Sequence, residues 1–460
     1  MSTLDKLKEK VFGKKVAVLG IGVSNTPVID MLLSLGARVS AHDIKERGAL
    51  GPIADELEEK GVRLVLGKGY LDRPDTDIIF RAPGIRPDHP AIVAAVESGA
   101  TLTSEMSEFF DLCPAKIIAV TGSDGKTTTT TIISKLLEAE GKRVFLGGNI
   151  GRPLLPVVDQ MTSDDWAVVE LSSFQLQTMR RSPDVAVITN ITPNHLNWHV
   201  DMDEYIDAKL NILRYQSTSG RAVLNYEDPI TRSAADIAVG EHIFFTSKRA
   251  PDDTHGYVYE KDGGIYFGSD KVIDTSDIMI PGRHNVENYM VAIAATKGIV
   301  SPDAVRAVAT TFGGVEHRNE FVRELDGVKY YNSSIDSSPT RTIAALRSYD
   351  QKLIVLCGGY DKKIPYEPLA EPLCERAKLV ILTGATAPKI IAALEACPAY
   401  KKDHPTIVLA NDYGQAVNIA RERAESGDIV LLSPASASFD AFKNFEERGN
   451  FFKNKVNSLK

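Results

Sequence analysis

The sequence predicts an α/β protein of three domains with mainly parallel sheets, an open-sheet domain at each end and a central domain built round a phosphate loop. Short apolar runs rich in Val and Ile alternate with helical patterns almost from end to end, as strand–helix–strand units do. A chain of 460 residues exceeds what one hydrophobic core serves. The runs also fall into three blocks, 1–104, 105–314 and 315–460, and the middle one holds Gly-x-x-Gly-Lys-Thr between a strand and a helix.

In the first block KKVAVLGIG reads as a buried strand over residues 14–19, followed by a helix to Leu35 that Gly36 stops, then the strand RVSAHD. Gly20 and Gly22 match the first two glycines of a dinucleotide-type fingerprint. Asn25 stands at the third, and Asp43 lies about where a ribose-binding acid is expected. Two readings stay open: a nucleotide or other anion at the helix start, or a tight turn with no ligand. A later strand, DTDIIF, runs into RAPGIRPDHP, where Pro83 and Gly84 end it in a loop on the same sheet edge.

The second block contains KIIAVTGSDGKTTTTTIISKLLEAEG. A strand meets the loop Gly122, Ser123, Asp124, Gly125, and a helix follows whose Ile132, Ile133, Leu136 and Leu137 share one face until Gly141 closes it. The glycines let backbone N–H groups turn toward phosphate oxygens, Lys126 supplies positive charge for the β and γ phosphates, and the Thr127 hydroxyl, beside Thr128, suits Mg²⁺. Val120 holds the first glycine position of the general pattern, so the loop is a variant. Strand, lysine and helix together favour a nucleoside triphosphate over a plain glycine turn. The strand AVVE then delivers Glu170 at its end, as a Walker-B-type carboxylate or as an ordinary exposed acid. In VAVITNITPNHLNWHVDMDEYIDAKLNIL, His195 follows a buried strand and Lys209 lies on the next helix. A lone histidine is more often a polar loop residue than a ligand. The phosphate loop and Glu170 in the same unit make His195 a candidate at a metal site.

The third block alternates VKYYN, KLIVLCGG, KLVILTG, TIVLA and DIVLLSPAS with helices such as TRTIAALRS, APKIIAALEA and GQAVNIARERAES. In such a sheet the site walls lie beyond the strand carboxyl ends, here NSSIDSSPT, GGYDKK and SPASAS. His317, Arg318 and Lys362 would stabilise a phosphate in transfer or, equally, sit on the surface. Ser433, Ser436 and Ser438 offer hydroxyls, while Phe439, Phe442 and Phe445, at helical spacing, read as core.

Composition narrows the class. With 43% apolar and 25% charged residues the balance is globular, and no stretch approaches the ~18 uncharged apolar residues of a membrane span. The start MSTLDKLKEKVFGKK has no apolar signal region, so a cytoplasmic protein is expected. A monomer is expected as well. A net charge of −8 without a basic block argues against nucleic acid. Cys113, Cys357, Cys374 and Cys397 lack Cys-x-x-Cys spacing and read as buried reduced thiols. Gly20, Gly22 and Asp43 alone also fit a nucleotide-dependent dehydrogenase, which leaves the phosphate loop unexplained. A phosphate-loop ATPase without ligation is a second alternative.

Taken in order, TGSDGKTT, GGNIG, VELSSFQL, NHLNWH followed by AKLNI, PGRHNVEN, EHRNEF, GGYDKK and LSPASASFDAFKNFEERGNFF resemble the Mur ligase family across all three blocks. The run 432–452 resembles its D-glutamate-adding branch. The resemblance implies Rossmann-like N-terminal and C-terminal domains flanking a P-loop ATPase domain: 1–104 for a uridine nucleotide, 105–314 for ATP, 315–460 for the amino acid and ATP. It implies an ATP-dependent ligase that makes an acyl phosphate of UDP-N-acetylmuramoyl-L-alanine and joins it to D-glutamate in peptidoglycan precursor synthesis. By position it implies that loop residues 122–128, Asn285, Asn288 and Arg318 hold ATP, and that Thr127 and Glu170 hold one Mg²⁺. His195 and Lys209 would hold a second Mg²⁺, Lys209 being carbamylated into an anionic ligand, and with Lys126 they are the implied catalytic residues. Val23, Ser24, Asp43, Gly84 and Asn149 would contact the UDP-sugar, and Ser337, Lys362, Ser438, Phe439 and Phe445 the glutamate. The chain departs from the family's common Asn-Asp-Ser-Lys-Ala-Thr. It reads Asn332, Ser333, Ser334, Ile335, Asp336, Ser337, losing an aspartate and a lysine and gaining a carboxylate three residues on. Asn194 stands where Asp is frequent and Ala82 where Ser often precedes Pro-Gly. A family relative using another amino acid is the nearest alternative.

Overall fold

The computed structural model describes residues 3–22, 24–72, 75–248, 256–401 and 404–460. It divides into two compact units, Met1–Thr275 with Glu287–Val308, and Ser276–Val286 with Ala309–Lys460.

The first unit holds two sheets. One has five parallel strands in the order Arg63–Leu66, Arg38–Asp43, Lys15–Leu19, Ile78–Arg81, Thr101–Thr103. Strand order reverses between Lys15–Leu19 and Ile78–Arg81, which puts a switch point at the loop leaving Leu19, where Gly20 (φ 91°) turns the chain toward helix Thr26–Ser34. The second sheet runs Asp270–Asp274, Gly264–Phe267, Tyr257–Lys261, Glu241–Thr246, Arg221–Asn225, Val185–Ile188, Lys116–Thr121, Trp166–Glu170, Val144–Gly148. Its pairings are parallel except the two among the first three strands, which form successive antiparallel hairpins. Asp262 and Gly263, both left-handed (φ 47° and 74°), make the two-residue turn into Gly264–Phe267.

As the periodicity predicts, Ile132, Ile133, Leu136 and Leu137 of helix Lys126–Ala139 are fully buried. They sit against Lys116–Thr121 and its neighbours. Buried residues of both sheets form one continuous core, from Val16 and Ile29 through Phe109 and Leu155 to Ile188 and Ile212. Arg81 crosses between them: its guanidinium donates to Pro83 O (3.1 Å), Phe174 O (3.0 Å) and Thr178 Oγ1 (3.1 Å). Burial lowers its pKa to about 10.

The second unit is a six-stranded sheet in the order Glu320–Leu325, Val328–Asn332, Ile429–Leu432, Leu353–Gly358, Ala377–Thr383, Thr406–Leu409, antiparallel only at its first pair. A separate apolar cluster covers each face. One expectation fails here. Phe439, Phe442 and Phe445 do not form a helical core stripe, because the helix Phe445–Asn457 begins only at Phe445, capped by the Asn444 side chain, which accepts from Glu447 N (2.8 Å). Phe442 packs against Tyr413 and Phe451, whereas Phe439 is 62% exposed and meets Tyr360 edge-on. All four cysteines are free, but only Cys357 is buried. No helix among the described residues is long and apolar enough to cross a membrane.

Candidate active site

The phosphate loop forms as the sequence predicts, between Lys116–Thr121 and Lys126–Ala139. Gly122 takes φ 146°, and a Cβ there would strike the Thr189 hydroxyl. Gly125 takes φ 79°, with the Asn288 Oδ1 only 2.8 Å from where its Cβ would stand. Both positions therefore require glycine. No side chain caps the helix, so its first N–H groups face the loop. The loop is clamped from outside: Asp124 N donates to Asn190 Oδ1 (2.9 Å), Thr189 Oγ1 to Asp124 O (2.6 Å), and Ser123 Oγ to Thr192 O (2.9 Å). Lys126 Nζ lies across it, donating to Gly122 O (2.9 Å) and Ser123 O (2.8 Å). Thr128 is half-buried one step along the helix.

Glu170 is 1% exposed at the end of Trp166–Glu170, which removes the reading of an ordinary surface acid. Thr127 Oγ1 donates to its Oε2 (2.7 Å) and Asn149 Nδ2 to its Oε1 (2.7 Å). Hydroxyl and carboxylate oxygens side by side suit a hard cation such as Mg²⁺, which is held by one or two protein oxygens together with substrate phosphates and water. Among the described residues no three His, Cys, Asp or Glu side chains converge as a metal cluster.

Lys209 comes from helix Met202–Arg214 into the same place, 2% exposed, donating to Gly122 O (2.6 Å) with the Tyr205 ring 4.7 Å away. Burial, and then the Lys126 charge, lower its pKa well below the usual lysine value. His195 sits in a left-handed conformation (φ 56°), its ring 5.0 Å from that of Phe174. Its pKa is lowered by burial and by the charges of Lys126 and Lys209, so the neutral imidazole is favoured. Asn288 joins this group through Thr129 Oγ1, which donates to its Oδ1 (3.0 Å).

Beneath lies a network not singled out from sequence. His199, 2% exposed, has Nε2 2.9 Å from Ser173 Oγ and Nδ1 3.2 Å from Glu204 Oε2. Glu204 in turn pairs with Arg86 (2.8 Å), which holds its carboxyl down to about 2. Trp198 Nε1 donates to Gly84 O (3.1 Å), placing Gly84 against the His195 loop. The second histidine of NHLNWH was the available signal. At the first sheet, Asp43 is buried and accepts from Ile21 N (2.7 Å) and Lys45 N (2.9 Å), so it fixes the turn. Asn25, at the third fingerprint position, donates to Leu19 O and Gly20 O (3.1 and 3.0 Å). Ser24 lines a small cavity with Arg81, Pro83, Glu105 and Gln175. Glu105 there is pushed up to about 7 by burial. Val23 lies outside the described residues.

In the second unit, Arg448 organises the walls. It is fully buried and donates to Ser334 Oγ (3.0 Å), Ser334 O (2.8 Å), Ser436 O (3.0 Å), Ala437 O (3.1 Å) and Tyr413 OH (3.3 Å). Its signal was a cation on the buried face of an amphipathic helix, between Phe445 and Phe452. His317 (φ 63°) is buried, its Nδ1 2.9 Å from Asn332 Nδ2 and its ring edge-on to the half-buried Phe445. Ser438 is buried, Ser337 half-buried, and Arg318 and Lys362 are exposed. Asn285 donates to Pro281 O (2.6 Å) and belongs to this unit, while Asn288 belongs to the first.

A phosphate loop with a Thr–carboxylate pair in a parallel sheet, sharing a core with a doubly wound sheet, defines a P-loop enzyme that uses a nucleoside triphosphate. The sequence profile of the Mur ligase middle domain matches residues 120–296, and that of the Mur ligase glutamate ligase domain residues 317–436. The chain is 50% identical over 459 residues to the UDP-N-acetylmuramoylalanine–D-glutamate ligase of Clostridium botulinum (strain Okra / Type B1), covering 100% of both. It is 52% identical over 456 residues to the Clostridium kluyveri (strain ATCC 8527) protein of that name, covering 99% of both. Among solved structures, UDP-N-acetylmuramate-alanine ligase from Thermotoga maritima shares the fold at a TM-score of 0.59 and 19% identity, over 97% of this chain and 100% of that one. A UDP-N-acetylmuramoyl-L-alanyl-D-glutamate–2,6-diaminopimelate ligase does so at 0.55 and 19%, over 92% and 87%. The chain belongs to the Mur ligase family.

Proposed function

We propose that the protein is the ligase that joins D-glutamate to UDP-N-acetylmuramoyl-L-alanine at the expense of ATP, in the cytoplasmic part of peptidoglycan precursor synthesis, acting as a monomer. The observation that carries this is full-length identity of 50% to a relative named for that reaction. The phosphate-loop geometry agrees with it.

A carboxylate is a poor electrophile, so its attack on the γ phosphate of ATP, releasing ADP, makes an acyl phosphate. The glutamate amine then attacks the acyl carbon, the tetrahedral intermediate loses phosphate, and an amide remains. Loop residues Gly122 to Thr128 present N–H groups and the Lys126 charge to the phosphates. Thr127 and Glu170 would hold Mg²⁺, which when bound offsets charge as two anions approach. The buried amine of Lys209, favoured in its neutral form, adds CO₂ to give a carbamate and a proton. That reaction turns a neutral amine beside Lys126 into an anion, which with His195 would supply a second Mg²⁺ site. Asn149, held on Glu170 at the end of Val144–Gly148, and Ser24 and Gly84 on the first sheet's switch-point side, face the UDP-sugar. Ser337, Lys362, Ser438, Phe439 and Phe445 receive the glutamate, and Arg318 the nucleotide.

The test is a panel of D- and L-amino acids offered with UDP-N-acetylmuramoyl-L-alanine, ATP and Mg²⁺. D-glutamate alone should give coupled product. Equal product with L-glutamate, or better product with another amino acid, would assign the protein to another branch of the family.

A further inference from the structure

Ser333 and Ser433 are the first residues beyond two paired parallel strands, Val328–Asn332 and Ile429–Leu432, and Ser333 N donates to Leu432 O (2.8 Å). Asp336 lies over both strand ends. It is 5% exposed, and its Oδ2 accepts from Ser433 Oγ (2.8 Å), itself 2.9 Å from the Thr342 hydroxyl. Asp336 N also donates to Ser333 O (3.0 Å), closing a tight turn, and the Ser333 and Ser433 hydroxyls oppose the upward shift that burial imposes on the carboxyl. On its other side Ser333 Oγ accepts from Asn319 N (3.2 Å). Ile335 N donates to His317 O (3.1 Å). The turn so gripped is an unfavourable one, with His317 at φ 63° and Asn319 at φ 45°, two non-glycine residues in the left-handed region flanking Arg318. Such a turn persists only where its surroundings over-determine it.

We propose that Asp336 is a positioning residue which, through Ser333, locks the turn 317–319 and thereby fixes Arg318 for the nucleotide. This rests on the ligase reading and on Arg318 as its ATP-side cation. Because Asp336 N donates to Ser333 O within one tight turn, a carboxylate carried at 333 is expected within reach of the partners that hold the one at 336.

The full-length enzyme is assayed at saturating UDP-N-acetylmuramoyl-L-alanine and D-glutamate with ATP varied. Asp336→Ala should raise KM for ATP about ten-fold or more while KM for the UDP-sugar stays within about two-fold. In an Arg318→Ala background the same substitution should add less than about two-fold. The exchange Ser333→Asp with Asp336→Ala, which keeps one carboxylate in the cluster, should recover KM for ATP to within about three-fold of the parent. Additive effects of Asp336→Ala and Arg318→Ala, or an exchange variant that folds yet stays as impaired as Asp336→Ala, overturn the proposal. If Asp336→Ala does not fold, the exchange variant decides alone. A parent enzyme without four-component turnover instead refutes the ligase reading itself.

Discussion

Lys209→Met removes a buried amine and keeps its volume, and the structure sets the sign and size of the effect. Lys209 is 2% exposed, close to the Lys126 charge, and its pKa is held well below 10.5 by burial and that charge, with Asp124 and Glu170 compensating only in part. The folded state therefore binds fewer protons than the unfolded chain. The stability this group contributes is present above the unfolded pKa and is lost as pH falls through the window down to the folded one. One proton of difference corresponds to about 1.4 kcal/mol per pH unit. Both tryptophans, Trp166 and Trp198, lie in the unit that carries Lys209, so their fluorescence in urea titrations reports the right transition. Between pH 8.5 and 9.5 the parent should gain stability on the Met variant, by up to about 1.4 kcal/mol. Excess bicarbonate should stabilise the parent and leave the variant unchanged, since only the parent has an amine to carbamylate. The variant should have no ligase turnover. Parallel pH profiles, or an equal response to bicarbonate, would refute the reasoning.

Lys126→Ala should abolish ATP-dependent turnover while calorimetric affinity for UDP-N-acetylmuramoyl-L-alanine changes by less than about three-fold; simultaneous loss of both would mean that the two ligands share this lysine or that the fold has failed. Thr127→Val, which removes the hydroxyl beside Glu170, should raise half-saturating Mg²⁺ by about ten-fold or more, read from turnover against free Mg²⁺. Arg448→Met leaves the buried carbonyls of Ser334 and Ser436 without their donor, and that of Ala437 with Tyr360 N alone, and should cost about 3 kcal/mol, a fall of roughly 6–12 °C in the calorimetric transition of the second unit. An unchanged transition would show that other donors take its place. Glu204, held down to about 2 chiefly by Arg86, contributes stability that is lost as pH falls from about 4.5 through that value. Glu204→Gln should accordingly flatten the acid limb of the first unit's stability in that range.

Much of this architecture was legible because local and tertiary signals agree. The glycines at 122 and 125, the lysine after them and the apolar face at Ile132, Ile133, Leu136 and Leu137 fix strand, loop and helix together, and each forms as read. The strands of the third block show as continuous Val, Ile and Leu runs because both their faces are covered. The antiparallel end of the central sheet was not read, although Asp262-Gly263 is a hairpin signal, because its short strands alternate weakly. The aromatic spacing at 439–445 misled, since a period of three assumes a helix and the Asn444 cap starts the helix six residues late. Site residues whose role lies in their own side-chain chemistry, such as Lys126 and Glu170, were visible. Arg448 and His199, which act by holding others, were hidden because partners such as Ser334 and Ser173 are distant in sequence, and Asp336 was visible only as a displaced carboxylate whose partner Ser433 the fold alone brings to it.

The central claim is that the substrate carboxylate is activated as an acyl phosphate, and oxygen tracing tests it most directly. UDP-N-acetylmuramoyl-L-alanine labelled with ¹⁸O in both carboxylate oxygens is turned over with ATP, Mg²⁺ and D-glutamate, and the released phosphate is analysed by mass. The mechanism predicts one ¹⁸O in each phosphate, because the oxygen that attacks phosphorus leaves with it, and the other ¹⁸O in the new amide. Phosphate free of ¹⁸O, with product still formed, would contradict it.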